Sequence, residues 1–411
     1  MKRKLGSRLF ALRGTGEIKT GRQIAEEQKK ETRKDLFPGE GRQENTAYGP
    51  CYYRETIFPL DYMHGGNKLS GFLACSGPEL TLLTRDKTLC NLNPAESVFL
   101  DIETTGLAGG TGTWTFLIGL GRVLDQHFVL RQYFLRRPSE EKAMLSHFNA
   151  FLSGYQTMIT FNGKQFDLPL IKTRQMLAGL KLIELEQHLD LLQCARTLWR
   201  KRLASRSLRS IEEALLNIKR HDDIPGSEIP EVYFNYLRRG ETILLKKVFH
   251  HNTLDILSMA TMLERFYHTI TGRLAKHPAE SLALGSLCLE SGRGAEGVEY
   301  LREACEHESD PLAQEAALKL SLHFKRQGRW EEALKIWEET IEKNPCNIPV
   351  LIELAKYYEH RAGQFQTALD LTEKALILAR IKGNGFYSAS SAFSIKSLMH
   401  RKIRLYRRLG S

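Results

Sequence analysis

Long apolar runs are absent from this sequence. No uninterrupted stretch approaches the ~18 residues of a membrane span, which excludes an integral membrane helix. Paired cysteines are absent too. The seven cysteines stand at 51, 75, 90, 194, 288, 305 and 346, none in CxxC spacing, which argues against zinc ribbons and thioredoxin-type chemistry. The start, Met-Lys-Arg-Lys, is basic, but no apolar core follows it, so no secretory leader is expected. Scattered thiols without a leader fit reduced cysteines in a cytoplasm. The glycines at 106, 109, 110 and 112 resemble a phosphate loop, but no Gly-Lys-Ser/Thr follows them. A nucleoside-triphosphate site is therefore set aside. From Arg380 to the end there is no acidic residue at all.

What is present is a globular composition, 42% hydrophobic and 26% charged over 411 residues, enough for two or three domains. The formal charge of +11 is unevenly placed. Residues 1–34 carry +7 and residues from Arg380 onward +8, so the body between them carries −4. Basic ends can hold a polyanion by counterion release, or serve as solvated tails; charge alone does not decide.

Residues 1–45 have little periodic apolar content and read as a basic, disordered tail. Residues 46–96 hold short apolar runs broken by Gly, Asn and Pro, a small strand-containing extension. Strands are then expected at 97–101, 115–123, 127–135, 157–161 and 187–192. A helix opens at Pro138-Ser-Glu-Glu and another covers 167–178. Three strands, then helix, strand, helix, strand describe a mixed five-stranded sheet with helices, the order of an α/β ribonuclease H-like domain, here spanning 97–272. Helices are expected near 193–203, 207–217, 230–239 and 241–268.

A third texture covers 275–380. Gly292, Gly328 and Gly363 recur at spacings of 36 and 35, with small residues following at matched offsets (Gly297, Ala304, Ala333, Ala368, Ala375). The pattern resembles tetratricopeptide repeats, with their period of about 34, which would stack into an all-α solenoid. The segment 381–411 reads as a basic amphipathic capping helix with Phe393, Ile395, Leu398, Met399 and Ile403 on its apolar face.

The chemistry is expected in the middle domain. Asp101 and Glu103 fall on one face of the first strand, with Leu100 and Ile102 on the other. Two carboxylates side by side in an apolar strand call for a cation, and hard Mg2+ or Mn2+ prefers carboxylate oxygen. Asp167 stands where a loop enters a helix. His251 and Asp255 are i and i+4 on one helical face. Convergence of Asp101, Glu103, Asp167 and Asp255 would bind two metal ions ~3.5–4 Å apart, as in two-metal phosphodiester cleavage, with a histidine taking the proton of water. Asn162 and Lys164 are candidate contacts to substrate phosphate, as are Thr104, Thr105 and Gly106 beside the first acids. Asp190 reads as a structural acid. Asp222 and Asp223, ahead of Pro225 and Gly226, read as a turn. Trp114 and Phe116 could stack a base, although strand aromatics are more often core.

Three ordered motifs, Asp101-Ile-Glu103-Thr-Thr-Gly106, Phe161-Asn-Gly-Lys-Gln-Phe-Asp167 and His251-Asn-Thr-Leu-Asp255, resemble the DEDD superfamily of 3′–5′ exonucleases. Together with Gly109–Gly119, Asp222–Gly226 and Ile229–Tyr233, they are similar to its YprB-like subgroup, in which tetratricopeptide repeats follow the exonuclease domain. The resemblance covers roughly residues 50–380 and implies a metal-dependent hydrolase of DNA or RNA. Such enzymes place a histidine five residues before the last aspartate, or a tyrosine four before it. Here His250 stands at five and His251 at four. The alternatives are a catalytically idle scaffold whose repeats bind a protein, and a structure-specific endonuclease; the histidine-led third motif resembles the exonucleases.

Overall fold

A computed structural model describes residues 41–106, 111–274, 276–306, 311–382 and 395–410. The described residues form two compact units, one within 41–196 and 205–271, the other within 197–204 and 272–410.

The first unit is built on a seven-stranded sheet in the order β1-β2-β7-β6-β5-β8-β9. Its strands are β1 (Gly41–Thr46), β2 (Gly49–Pro59), β5 (Ser97–Thr104), β6 (Thr115–Leu124), β7 (His127–Phe134), β8 (Thr157–Thr160) and β9 (Gln187–Asp190), while β3 (Met63–His64) and β4 (Asn67–Lys68) make a separate two-stranded hairpin. Strand β5 runs antiparallel to β6 and parallel to β8, with Phe99 opposite Ile159, and β9 extends the parallel side. Buried side chains on both faces of β5 mark it as central. The sheet therefore has seven strands rather than the expected five. Tyr53 pairs with Tyr133 and Gly41 with Arg54, which draws residues 41–59 into the main sheet instead of a tail and a separate extension. The expected tail over 1–40 lies outside the described residues.

Helix α1 (Gly77–Thr84) belongs to the 46–96 segment; α2 (Glu141–Leu152) and α3 (Asp167–Leu177) follow strands of the sheet. Ala143, Met144, Leu145, Phe148 and Leu152 form the buried stripe of α2. After α4 (Leu191–Leu198), a short helix α5 (Leu208–Ile211) continues into a π-helical turn, Glu212–Leu216, closed by Asn217 at φ 55°. Helices α6 (Ile229–Arg239) and α7 (Ile243–Ile270) complete the unit. The 28-residue α7 packs on β5 and β6, and Gly119 and Gly121 of β6 are what let it approach. The turn Leu69–Ala74 packs on the far part of α7.

The second unit is helical. Three helix hairpins follow one another: α8 (Pro278–Glu290) with α9 (Gly294–Cys305), α10 (Pro311–Arg326) with α11 (Trp330–Lys343), and α12 (Ile348–Tyr357) with α13 (Phe365–Lys382). Gly292, Gly328 and Gly363 sit at the three turns with φ of 83°, 77° and 67°, a conformation in which a side chain is strained. Ala304, Ala333, Ala368 and Ala375 are fully buried. Trp199 of the 197–204 segment donates to Glu280. The last helix, α14 (Ile395–Leu409), packs on α13. It buries Leu398 and Leu405, whereas Met399 and Ile403 are exposed, so the expected apolar face is corrected. The i, i+7 pair facing α13 wins over the wider stripe read from the sequence; Phe393 lies outside the described residues.

Candidate active site

The strand β5, parallel to β8 and β9, carries Asp101 and Glu103 toward its C-terminal end, just beyond the register that pairs Phe99 with Ile159. The end of parallel strands, where loops lead into helices, is where α/β sheets commonly place their sites. Asp167 opens α3 in the loop that leaves β8, and Asp255 lies near the middle of α7. Three elements distant in sequence thus put four acids within electrostatic reach of one another.

The four acids are coupled electrostatically. Asp101 is held well above the ordinary carboxyl range, by burial first and then by the charges of Asp255 and Asp167. Glu103 is raised by burial, then by Asp101 and Asp255. Asp167 is pushed up to about 7 by burial, Asp190 and Asp255. For Asp255 burial also raises the pKa, but Arg220 works against it through its charge and its hydrogen bond. Buried like charges that disfavour one another are relieved by a cation.

Two networks orient Asp101 and Asp255. Asn252 donates to Asp101 Oδ2 at 2.8 Å and itself accepts from Gln132 at 2.7 Å; Gln132 also donates to the Phe249 carbonyl at 2.9 Å. Asp101 is therefore tied to β7 and α7 at once. On the other side stands Arg220, nearly fully buried. It grips Glu212 through two bonds of 2.5 and 2.7 Å, reaches Asp223 at 3.2 Å, and donates to Asp255 Oδ1. Burial disfavours its charge, but Glu212 and Asp255 hold it protonated. Glu212, with no exposure, accepts from Ser258, whose hydroxyl lies 2.9 Å from His64 Nε2 in the β3–β4 hairpin.

The two histidines part company. Helix α7 begins at Ile243, so both lie inside it; His250 is exposed, while His251 is partly buried. His251 Nδ1 lies 2.9 and 3.0 Å from the oxygens of Asp223, and its Nε2 lies 3.6 Å from Asp255 Oδ2.

The other expected residues fall as follows. The Thr105 N–H donates to the Trp114 carbonyl, the Thr105 hydroxyl accepts from the Trp114 N–H, and the Thr104 hydroxyl donates to the Gly106 carbonyl. These groups shape the turn after β5. Asn162 takes the left-handed conformation at φ 67°, and Asp190 accepts from the backbone N–H groups of Asn162, Lys164 and Leu192. Asp190 is thus the structural acid that holds the β8–α3 loop. The Lys164 side chain is exposed. Phe116 is core, stacked on Tyr233 at 4.2 Å, and Trp114 lies under Arg174 at 4.1 Å. Gly109 and Gly110 lie outside the described residues.

Sequence reading missed Arg220, Asp223, Asn252 and Gln132. Asp223 was visible as part of Asp222–Gly226 but read as a turn. Arg220 gave no signal, because its partners at 212 and 255 lie on separate segments.

The donor set fits hard divalent ions: Asp101, Glu103, Asp167 and Asp255 offer carboxylate oxygen in a site that disfavours bare negative charge. Among the described residues, no three His, Cys, Asp or Glu side chains stand close enough to hold an ion as they are oriented, and one oxygen of Asp255 is taken by Arg220.

Comparison with known proteins agrees with this architecture. Residues 98–267 match the RNase_H superfamily, a span that contains all four acids. The uncharacterized protein YprB of Bacillus subtilis (strain 168) is 34% identical over 340 residues, covering 79% of this chain and 80% of that protein. Such identity over four-fifths of both proteins takes in both units, and the chain accordingly belongs to the YprB family and carries an RNase H-superfamily domain.

Proposed function

We propose that this protein is a metal-dependent hydrolase of nucleic-acid phosphodiester bonds, acting as a 3′–5′ exonuclease. One observation carries the reading: Asp101, Glu103, Asp167 and Asp255 converge from β5, α3 and α7, and burial with mutual repulsion raises each of the first three. These four residues would hold two divalent ions, Mg2+ or Mn2+. When bound, such ions supply Lewis-acid charge at the phosphate and make water a better nucleophile. Asn252 fixes the Asp101 carboxylate. His251, rather than exposed His250, accepts the proton from water, being held on the same face as Asp255. Asn162, Lys164 and the Thr104–Gly106 turn contact the substrate backbone in this reading. The exonuclease polarity rests on the DEDD-like order of the motifs.

The helix hairpins of 278–382 act in this reading as tetratricopeptide-like repeats that present a groove to a protein partner. A recess of about 680 Å3 lined by Leu320, Phe324, Ile336, Arg302, Lys335 and Lys343 is its candidate floor. A pulldown that fails equally with and without residues 275–411 would count against that role.

A second reading, an idle RNase H-like scaffold, is favoured by the grip of Arg220 on Asp255. The deciding experiment is degradation of 5′-labelled single- and double-stranded DNA and RNA with Mn2+, Mg2+ or EDTA, with Asp101→Ala and Asp255→Ala beside the wild type. A metal-dependent ladder lost in both variants supports the hydrolase. No cleavage by well-folded protein in either metal supports the scaffold.

A further inference from the structure

The contacts of His251 define a role that the four acids do not fill. Its Nδ1 lies 2.9 and 3.0 Å from Asp223 Oδ1 and Oδ2. Asp223 is itself fixed: its side chain is 6% exposed, its Oδ2 accepts from Arg220 at 3.2 Å, and its Oδ1 accepts from the Ile224 N–H at 2.9 Å. Arg220 is anchored by Glu212 and, through Glu212, by Ser258 and His64. The carboxylate that meets His251 therefore hangs on a buried chain of polar groups running back to the β3–β4 hairpin, and His251 stands at its end.

We propose that Asp223 is a positioning residue for His251, holding the proton on Nδ1 so that Nε2 presents a lone pair beside Asp255. An ionised carboxylate accepts hydrogen bonds and donates none. A neutral imidazole facing it at Nδ1 must therefore place its single N–H there, leaving Nε2 as the acceptor. Nε2 is 3.6 Å from Asp255 Oδ2, longer than a hydrogen bond, so no direct hydrogen bond to that acid competes with Asp223 for the ring proton. Asp223 is held as a carboxylate by its surroundings: besides facing His251 Nδ1, its oxygens accept from the Arg220 guanidinium and the Ile224 N–H. The proton balance is simple. Water gives one proton to Nε2, the ring becomes imidazolium with both nitrogens protonated, and Asp223 stabilises that cation without taking the proton. The same logic governs the aspartate behind the histidine of serine-protease triads. The proposal rests on the reading of His251 as proton acceptor.

The test has one arm that needs no activity. Full-length protein labelled with 15N-histidine is studied without metal in EDTA by long-range 1H–15N correlation, at a pH where the ring shows no imidazolium signature, with His251 assigned from the spectrum of His251→Gln. The expected wild-type signal is the Nδ1–H tautomer, and Asp223→Asn should raise the Nε2–H form. A wild-type His251 resting as Nε2–H overturns the proposal, whether or not any variant folds.

The second arm is kinetic. Asp223→Asn should lower kcat by about 10²–10⁴-fold, by analogy with loss of the triad aspartate, and leave KM within about threefold, because Asp223 does not touch substrate. In a His251→Ala background the same substitution should cost less than about threefold, since a residue acting only through His251 has nothing left to position. An equal loss in both backgrounds marks a merely structural role and overturns the proposal. If the wild type cleaves nothing, the hydrolase reading fails, while the tautomer arm still decides whether Asp223 sets the ring.

Discussion

A β-carbon at position 119 would collide with Asn252 Oδ1 and stand 2.5 Å from Ile256 Cδ1. Gly119 is opposite Asp101 in the β5–β6 register, so the bare backbone of β6 lets α7 lie against the sheet and lets Asn252 reach Asp101.

Gly119→Ala should therefore destabilise the first unit by about 1–3 kcal/mol, the range for overpacking a tight contact, and disturb the Asn252–Asp101 bond. Urea unfolding followed by tryptophan fluorescence measures the first effect. Unchanged stability would mean that α7 does not press on β6 at this point.

The raised acids set a pH dependence. A carboxyl whose folded pKa is raised binds its proton more tightly in the folded state, so it favours folding at low pH and that contribution is lost as pH rises through the folded value. For Asp167 this window runs from its ordinary 3.8 to about 7. His64, lowered to about 4 by burial, acts in the opposite direction: its contribution is present above 6.5 and lost as pH falls toward 4. Below 6.5 the two oppose each other. Metal-free protein should accordingly lose stability as pH rises from 6.5 through about 7, and Asp167→Asn should flatten that slope. Thermal melts in EDTA across the range check it; an equally steep fall in the variant would contradict the assignment.

Divalent ions should raise the melting temperature of the wild type at pH 8, because they bind the folded carboxylates and not the dispersed ones. Saturation at a hundred times Kd corresponds to about 2.7 kcal/mol. Asp101→Asn and Asp255→Asn should each remove most of that gain, with Asp101→Asn melting at or above the metal-free wild type. A Mn2+ or Mg2+ shift that persists in both variants would place the ion elsewhere.

In the helical unit, Trp337 is fully buried and its indole N–H donates to Ser321 at 2.7 Å. Trp337→Ala should cost about 3–5 kcal/mol and lower helical circular dichroism before it touches any cleavage step. A melting curve indistinguishable from the wild type would show that the hairpins do not share this core.

The C-terminal basic charge is partly spent inside the protein. Arg401 and Arg404 both pair with buried Glu359, and Lys402 pairs with Glu373. Removing α14 should therefore reduce the salt slope of nucleic-acid binding by less than its formal charge suggests, which fluorescence anisotropy at several salt concentrations measures. A loss matching every cation in the helix would show that these pairs open on binding.

Much of this protein was legible from its sequence because the relevant signals are local. The apolar run before Asp101 is a strand in any context that buries both faces, and β5 to β9 fall within a few residues of their expected places. The i, i+4 spacing alone puts His251 and Asp255 on one face, and a glycine with positive φ marks each helix hairpin where the repeat spacing puts it. Only tertiary structure decided the rest. Two further strands join the sheet because Tyr53 finds Tyr133 across 80 residues of chain, and edge pairing leaves no local mark. Asp223 reads as a turn until α7 sets His251 against it, and Arg220 has no visible purpose until Glu212, Asp223 and Asp255 surround it. Backbone periodicity is written in neighbouring residues, whereas the partner of a buried charge is chosen by whichever distant segment the fold brings within hydrogen-bond reach.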